Sequence, residues 1–156
     1  MQRTLDITKE RENLEAALAT PIPALRLPRV LLADDSDEMR ALIAGMLRQA
    51  GYEVVEARDG IELFEHIESA VASGGRRNPP ISLVISDVRM PGLSGLSVLG
   101  ILRCGYWRTP VILITAFGDE HTHAEARELG AAALFDKPFD LDELRRTVQR
   151  LVPTWG

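Results

Sequence analysis

The chain has 156 residues, 46% of them hydrophobic and 26% charged, which fits one globular domain with a substantial core. Its net charge of −5 and scattered basic residues argue against direct binding of nucleic acid. A lone cysteine, Cys104, excludes an internal disulfide, and no apolar run suggests a signal peptide or a membrane span, so we expect a cytoplasmic protein without membrane contact.

The N-terminal residues 1–28 do not share the regular pattern of the rest. The segment TKERENLEAALA could form a short charged helix, but its apolar stripe is narrow and the following TPIPALRLP is interrupted by prolines. We therefore predict an N-terminal arm, mobile or a short helix, for residues 1–28. Docking of such a helix on the domain, or on a second copy of it, is the alternative interpretation.

From residue 29 onward, short apolar runs alternate with longer segments whose apolar residues recur at helical spacing. The predicted strands cover 30–33, 52–57, 81–86, 110–115 and 132–135, and the predicted helices cover 36–50, 60–72, 94–104, 119–129 and 140–151. Most strand runs are apolar throughout, as expected for strands covered on both faces. The alternation predicts an α/β domain with a parallel sheet at residues 29–152, followed by a tail at 153–156 and no second domain.

Residues typical of helix ends support these boundaries. Ser36 and Asp140 lie at predicted helix starts, where their side chains can accept hydrogen bonds from free N–H groups. Gly51, Gly105 and Gly130 lie where helices are expected to end.

Polar residues follow four of the predicted strands. Asp34 and Asp35 follow the first, Asp87 the third and Lys137 the fifth, while Thr115 ends the fourth. Since the carboxyl ends of parallel strands meet at one edge of a sheet, these side chains should converge there. Carboxylates about 4 Å apart repel by roughly 1 to 4 kcal/mol, which a hard cation would offset. Oxygen ligands with few protein groups suit Mg²⁺, so the aspartates predict a Mg²⁺ site.

Four sequence segments in this order resemble the receiver domains of two-component response regulators. They are LLADDS, SDVRMPGLSG around Asp87, LITA with Thr115 and DKPF with Lys137, and the resemblance extends over about residues 29–152. It implies a flavodoxin-like, doubly wound five-stranded parallel sheet with strand order 2-1-3-4-5 and five helices.

The resemblance also implies roles for the acidic residues. Asp87 would be the phosphoacceptor for a sensor histidine kinase or phosphotransfer protein. Asp35, Asp87 and the backbone carbonyl of Arg89 would bind Mg²⁺, with Asp34 reaching the metal mainly through water.

By the same resemblance, Lys137 and Thr115 would contact the phosphoryl group. Lys137 would neutralise charge on its oxygens, and Thr115 would donate its hydroxyl only once the phosphate is present. The resulting switch would act on an unidentified output partner or on a second copy of the chain, through the fourth helix, fifth strand and fifth helix. A cis bond between Lys137 and Pro138 is also expected.

One departure from the family pattern concerns the aromatic residue that usually stands three positions before the lysine. Here that position holds Leu134, and the neighbouring Phe135 should point to the opposite face of the strand. An aromatic switch is therefore not expected, and a phosphorylation-independent scaffold or dimerisation module remains an alternative function.

Other classes of function fit the residues less well. A phosphatase with an aspartate nucleophile would need a second acid at the position of Arg89, and a nucleotide or flavin site would need a glycine-rich loop where DDSDE stands. His121 and His123 are predicted to be surface residues and not a pair of metal ligands, because a separation of two residues on a helix directs their side chains apart.

Overall fold

The computed structural model describes residues 8–13, 27–72, 80–105, 107–116 and 118–154. Within these ranges a five-stranded parallel sheet forms the centre of the molecule, in the order β2-β1-β3-β4-β5. The strands are β1 (Arg29–Ala33), β2 (Glu53–Ala57), β3 (Ile81–Asp87), β4 (Val111–Thr115) and β5 (Ala133–Asp136). The flavodoxin-like fold and the strand order expected from the sequence are confirmed.

Five helices connect or follow these strands: α1 (Asp37–Gln49), α2 (Gly60–Ala72), α3 (Gly95–Cys104), α4 (Glu120–Glu128) and α5 (Leu141–Leu151). The bounds of all ten elements lie within one residue of those predicted. Residues 8–13 form a further, exposed helical segment. The prediction for the arm otherwise falls on residues 1–7 and 14–26, which lie outside the described residues. None of the described helices combines the length and apolar character needed to cross a membrane.

The core consists of two apolar layers, one on each face of the sheet. Successive strand residues point to opposite faces, so Leu31 packs with α2, α3 and α4, while its neighbour Leu32 packs with α1 and α5. Full burial of one such side chain stabilises the fold by about 1.5 to 3 kcal/mol. Because helices cover both faces, the described residues leave the edges of the sheet open to solvent and ligands.

The helices begin and end at residues that suit those positions. The Ser36 hydroxyl accepts a hydrogen bond from the Met39 N–H at 3.3 Å, and Asp140 caps α5 in the same way. Gly51 has a φ of 97°, a left-handed conformation that glycine adopts without strain. Because Ser36 caps α1, this helix starts directly after the acidic residues that follow β1.

Candidate functional site

Three aspartates meet at the carboxyl edge of the sheet. The parallel register pairs Ala33 of β1 with Ser86 of β3, so the next residues, Asp34 and Asp87, stand side by side. Asp34 is 1% exposed and Asp87 5%, whereas Asp35 is exposed. One carboxylate oxygen from each of the three lies within 4.8 Å of the others. The predicted convergence of these side chains is therefore present.

The loop after β1 is held by several hydrogen bonds. The Ser36 N–H donates to Asp34 Oδ1 at 2.8 Å, and the Asp34 N–H donates to the Ala57 carbonyl at 3.2 Å. Arg40 Nη1 donates to the main-chain carbonyl of Asp34 at 2.8 Å. Both the side chain and the backbone of Asp34 are thus fixed by neighbouring elements.

Lys137 provides the positive charge next to these carboxylates. Its Nζ lies 3.0 Å from Asp87 Oδ2 and 3.6 Å from Asp34 Oδ2. Its backbone N–H donates to the Thr115 carbonyl at 2.7 Å, and its peptide bond to Pro138 is cis, as expected. The end of β5 is therefore coupled both to the acidic cluster and to the end of β4.

Arg89 follows Asp87 by two residues in the chain, and Thr115 lies on the neighbouring strand of the sheet. Thr115 is the buried last residue of β4, and the register places it one residue beyond Ile114, the partner of Asp87. The Arg89 N–H donates to Asp87 Oδ1 at 3.3 Å, so the backbone turns around the Asp87 carboxylate at this point. All six residues singled out from the sequence belong to this edge of the sheet.

The surroundings of Asp87 disfavour its ionised form. Burial raises the pKa of Asp87, and the negative charge of Asp34 adds to this, while Lys137 and the Arg89 N–H oppose the change. Burial by itself would lower the pKa of Lys137, but the neighbouring carboxylates outweigh it and raise that pKa. Lys137 is therefore charged at neutral pH and compensates only part of the negative charge of the cluster.

The cluster suits a hard divalent cation. Three carboxylates face one ammonium group, all of the side-chain ligands offered are oxygens, and Asp35 is open to water. Mg²⁺ favours few protein oxygens and retains several water molecules. The residues present thus fit a Mg²⁺ ion, which would also relieve the repulsion between the carboxylates.

Leu134 and Phe135 lie on opposite faces of β5, as predicted. Leu134 packs with the layer under α2, α3 and α4, while Phe135 packs in the other layer, with its ring centroid 5.9 Å from that of Phe139. The aromatic ring of Phe135 therefore does not occupy the place of Leu134.

Two contacts near the site were not predicted from the sequence. Arg40 of α1 reaches the Asp34 carbonyl, and the only local signal for it was an acidic residue three positions earlier, Asp37. His123 of α4 is 33% exposed, and its Nε2 lies 3.1 Å from both carboxylate oxygens of Asp136, the last residue of β5. His123 and Asp136 lie on different elements, so no local pattern could identify them as partners.

Comparison with known proteins agrees with the fold. The family model for the response regulator receiver domain matches residues 30–149. Regulatory protein AtoC of Escherichia coli is 37% identical over 125 residues, which are 78% of this chain but only 24% of AtoC. Sporulation initiation phosphotransferase F of Bacillus subtilis is 30% identical over 80% of this chain and 94% of its own length.

Solved structures lead to the same family. The response regulator TrrA of Thermotoga maritima, solved in complex with Mg²⁺-BeF, is 32% identical, with a TM-score of 0.67 over 81% of this chain and all of TrrA (100%). The family match covers most of the chain, including every residue of the acidic cluster and Lys137. This chain therefore belongs to the response regulator receiver domain family of two-component systems.

Proposed function

We propose that this chain accepts a phosphoryl group on Asp87 from the phosphohistidine of a sensor histidine kinase or phosphotransfer protein. The observation that carries the proposal is the placement of a nearly buried Asp87 carboxylate 3.0 Å from Lys137 Nζ and within 4.8 Å of the Asp34 and Asp35 oxygens. An Asp87 oxygen would attack phosphorus as the bond to the histidine nitrogen breaks. The nitrogen leaves with the bonding electrons, and an aspartyl phosphate remains.

Charge compensation is the main contribution of the site. Phosphoryl transfer depends on positioning and on stabilising charge at the transferred oxygens. Lys137 Nζ lies 3.0 Å from Asp87 Oδ2, so its ammonium group would be next to the oxygens of a phosphoryl group on Asp87. A bound Mg²⁺ would supply further positive charge and would lower the pKa of Asp87, so that the ionised nucleophile is favoured.

The proposed metal ligands are Asp35, Asp87 and the backbone carbonyl of Arg89, with Asp34 acting mainly through water. Asp34 supports this division because its carboxylate is already engaged by the Ser36 N–H, whereas Asp35 is exposed. The relative TrrA was crystallised with Mg²⁺-BeF, which supports a magnesium-dependent phosphoryl site in this family.

The switch would act through Thr115 and the surface that follows it. The Thr115 hydroxyl would bind an oxygen of the new phosphate and pull the chain leading to α4 toward the site. Inverting a 1:99 equilibrium requires the phosphorylated form to favour the active state by roughly 5.5 kcal/mol. We place the output on α4, β5 and α5, acting on an unidentified protein or a second copy of this chain, without direct contact to nucleic acid or membrane.

The functional unit is proposed to be residues 29–152, with residues 1–28 as an arm and 153–156 as a tail. A cytoplasmic location is proposed because the phosphodonor is a signalling kinase or phosphotransfer protein and the sequence has only one cysteine. Receiver modules also occur within larger proteins such as AtoC, so the activity of any larger assembly would depend on parts beyond this unit.

The test is to treat the protein with Mg²⁺ and acetyl phosphate and to locate the adduct by mass spectrometry. We expect one PO₃ group on the peptide that contains Asp87, and none in the Asp87→Asn variant. Asp142→Asn is the matched control, since it removes the same charge from an exposed position on α5 and should retain the adduct.

The alternative, a phosphorylation-independent scaffold or dimerisation module, predicts a different result. Such a protein would form no adduct with acetyl phosphate and would show no Mg²⁺-dependent response to beryllofluoride. An adduct retained in Asp87→Asn would also contradict the proposed role of Asp87. Sedimentation velocity with and without beryllofluoride would test whether a second copy is the output partner.

A further inference from the structure

Arg40 joins three parts of the molecule next to the acidic cluster. Its Nη1 donates to the main-chain carbonyl of Asp34 at 2.8 Å, its Nε to Glu56 Oε1 of β2 at 3.3 Å and its Nη2 to Asp37 Oδ1 at 2.6 Å. The side chain is only 12% exposed. The planar guanidinium has donors in several fixed directions, and three of them are used here.

The hydrogen bond from Arg40 to the Asp34 carbonyl also affects Asp35. The carbonyl of Asp34 and the N–H of Asp35 belong to one rigid plane. Asp35 is exposed and Asp34 is buried, so the orientation of this plane sets where the Asp35 carboxylate can point. Glu56 anchors Arg40 in turn, and a second arginine, Arg48, binds the other Glu56 oxygen at 3.2 Å.

We infer that Arg40 is a positioning residue for Mg²⁺ binding, which holds the Asp34–Asp35 peptide so that the acidic oxygens converge. This inference rests on the proposed function, since it assigns a role at the same metal site. Arg40 would act through the backbone and would touch neither the metal nor the phosphoryl group. Residues that orient metal ligands in this way typically change metal affinity by about 10- to 100-fold when they are replaced.

Electrostatics alone predicts the opposite effect. Arg40 carries a positive charge close to the site, so its removal should strengthen the binding of a divalent cation if charge were all that mattered. Positioning predicts weaker binding despite the loss of that charge. The sign of the change in Mg²⁺ affinity therefore separates the two roles.

The experiment measures Mg²⁺ dissociation constants by ¹⁵N chemical-shift titration, which reports on folded protein, for wild type, Arg40→Gln, Arg40→Lys and Arg48→Gln. We expect Arg40→Gln to bind Mg²⁺ about tenfold or more weakly. Arg40→Lys keeps the charge but loses the fork of donors, and it should also weaken binding. Arg48→Gln removes the same charge from the same helix and the same Glu56 network, and it should stay within about twofold of wild type.

A second readout needs no metal. In metal-free protein, hydrogen exchange at the Asp34 amide, which donates to the Ala57 carbonyl at 3.2 Å, should be faster in both Arg40 variants than in wild type or Arg48→Gln. Unchanged or tighter Mg²⁺ binding by Arg40→Gln, or equal weakening by Arg48→Gln, would overturn the inference. A wild-type protein that binds no Mg²⁺ would instead overturn the proposed function, and the assigned role of Arg40 with it.

Discussion

At the scale of single residues, Asp87 lies in surroundings that oppose its own charge. Burial and the nearby Asp34 carboxylate raise its pKa, although Lys137 and a backbone N–H partly compensate. A carboxyl group whose pKa is higher in the folded state binds its proton more tightly there. Asp87 therefore begins to lower the free energy of unfolding as the pH rises above 3.8, the pKa of the carboxyl group in the unfolded chain. The loss is complete once the pH has passed the pKa in the folded protein. The acceptor residue is thus expected to reduce the stability of the metal-free protein.

Asp87→Asn should accordingly stabilise the metal-free protein at pH 7. We expect a gain of about 1 kcal/mol in the free energy of unfolding, mainly because an uncharged amide is buried at less cost than a carboxylate. Urea unfolding between pH 4 and pH 7 would measure it, and the gain should shrink as the pH falls, because a raised pKa means that Asp87 takes up its proton at a higher pH in the folded protein than in the unfolded chain.

Mg²⁺ should reduce the difference in the free energy of unfolding between Asp87→Asn and wild type. A ligand that binds only the folded wild type stabilises it by about 2.7 kcal/mol at 100 times its dissociation constant. Asp142→Asn serves as the charge control and should show neither effect. Loss of stability in Asp87→Asn at pH 7 would contradict this account of the site.

At the scale of elements, α3 starts in direct contact with the backbone of the acceptor residue. A Cβ atom added at Gly95, the first residue of α3, would lie 2.5 Å from the Asp87 carbonyl oxygen and 3.0 Å from Ser86 Oγ. The Gly95 N–H also donates to the Val88 carbonyl at 2.9 Å. Glycine is therefore required here by close packing between the helix and the strand end that carries the phosphoacceptor.

Gly95→Ala should lower the free energy of unfolding by about 1 to 3 kcal/mol, the usual effect of overpacking, and should reduce adduct formation at Asp87. Gly100→Ala is a matched control on the same helix, because among the described residues its added methyl group would meet only Leu129 Cδ2 at 3.9 Å. The free energy of unfolding of Gly100→Ala should rise by up to about 1 kcal/mol, because alanine has a higher helix propensity than glycine. Urea unfolding and acetyl phosphate labelling test both, and equal behaviour of the two variants would contradict the packing argument.

At the scale of the whole molecule, the two apolar layers are formed within the proposed unit of residues 29–152. Helices α1 and α5 close one face and α2, α3 and α4 the other. The buried Tyr52 hydroxyl donates to the Val152 carbonyl at 2.6 Å, which fastens the chain after α5 to the start of β2. The core therefore extends to residue 152 and includes its backbone.

A chain shortened to residues 27–154 should consequently fold on its own. We expect a single cooperative urea transition, with a free energy of unfolding within about 0.5 kcal/mol of the full chain. Acetyl phosphate labelling of Asp87 should be retained. A loss of several kcal/mol would instead indicate that the arm docks on the domain, the alternative that its sequence leaves open.

The sequence by itself determined the ten elements of the domain and their order, because periodicity, capping residues and breakers act over a few neighbouring positions. Ser36 and Asp140 cap their helices as predicted. It also determined which residues gather at the carboxyl edge, since parallel strands bring Asp34, Asp87 and Lys137 to one side of any such sheet.

Only the tertiary structure decided the contacts that join residues distant in the chain. Arg40 reaches Glu56 on another element, His123 pairs with Asp136, and the missing side chain of Gly95 makes room for a carbonyl of β3. These contacts depend on the separation and rotation of packed elements, which no local pattern of residues specifies. The sequence therefore predicts which residues gather at the site, while packing in three dimensions sets the residues that support them.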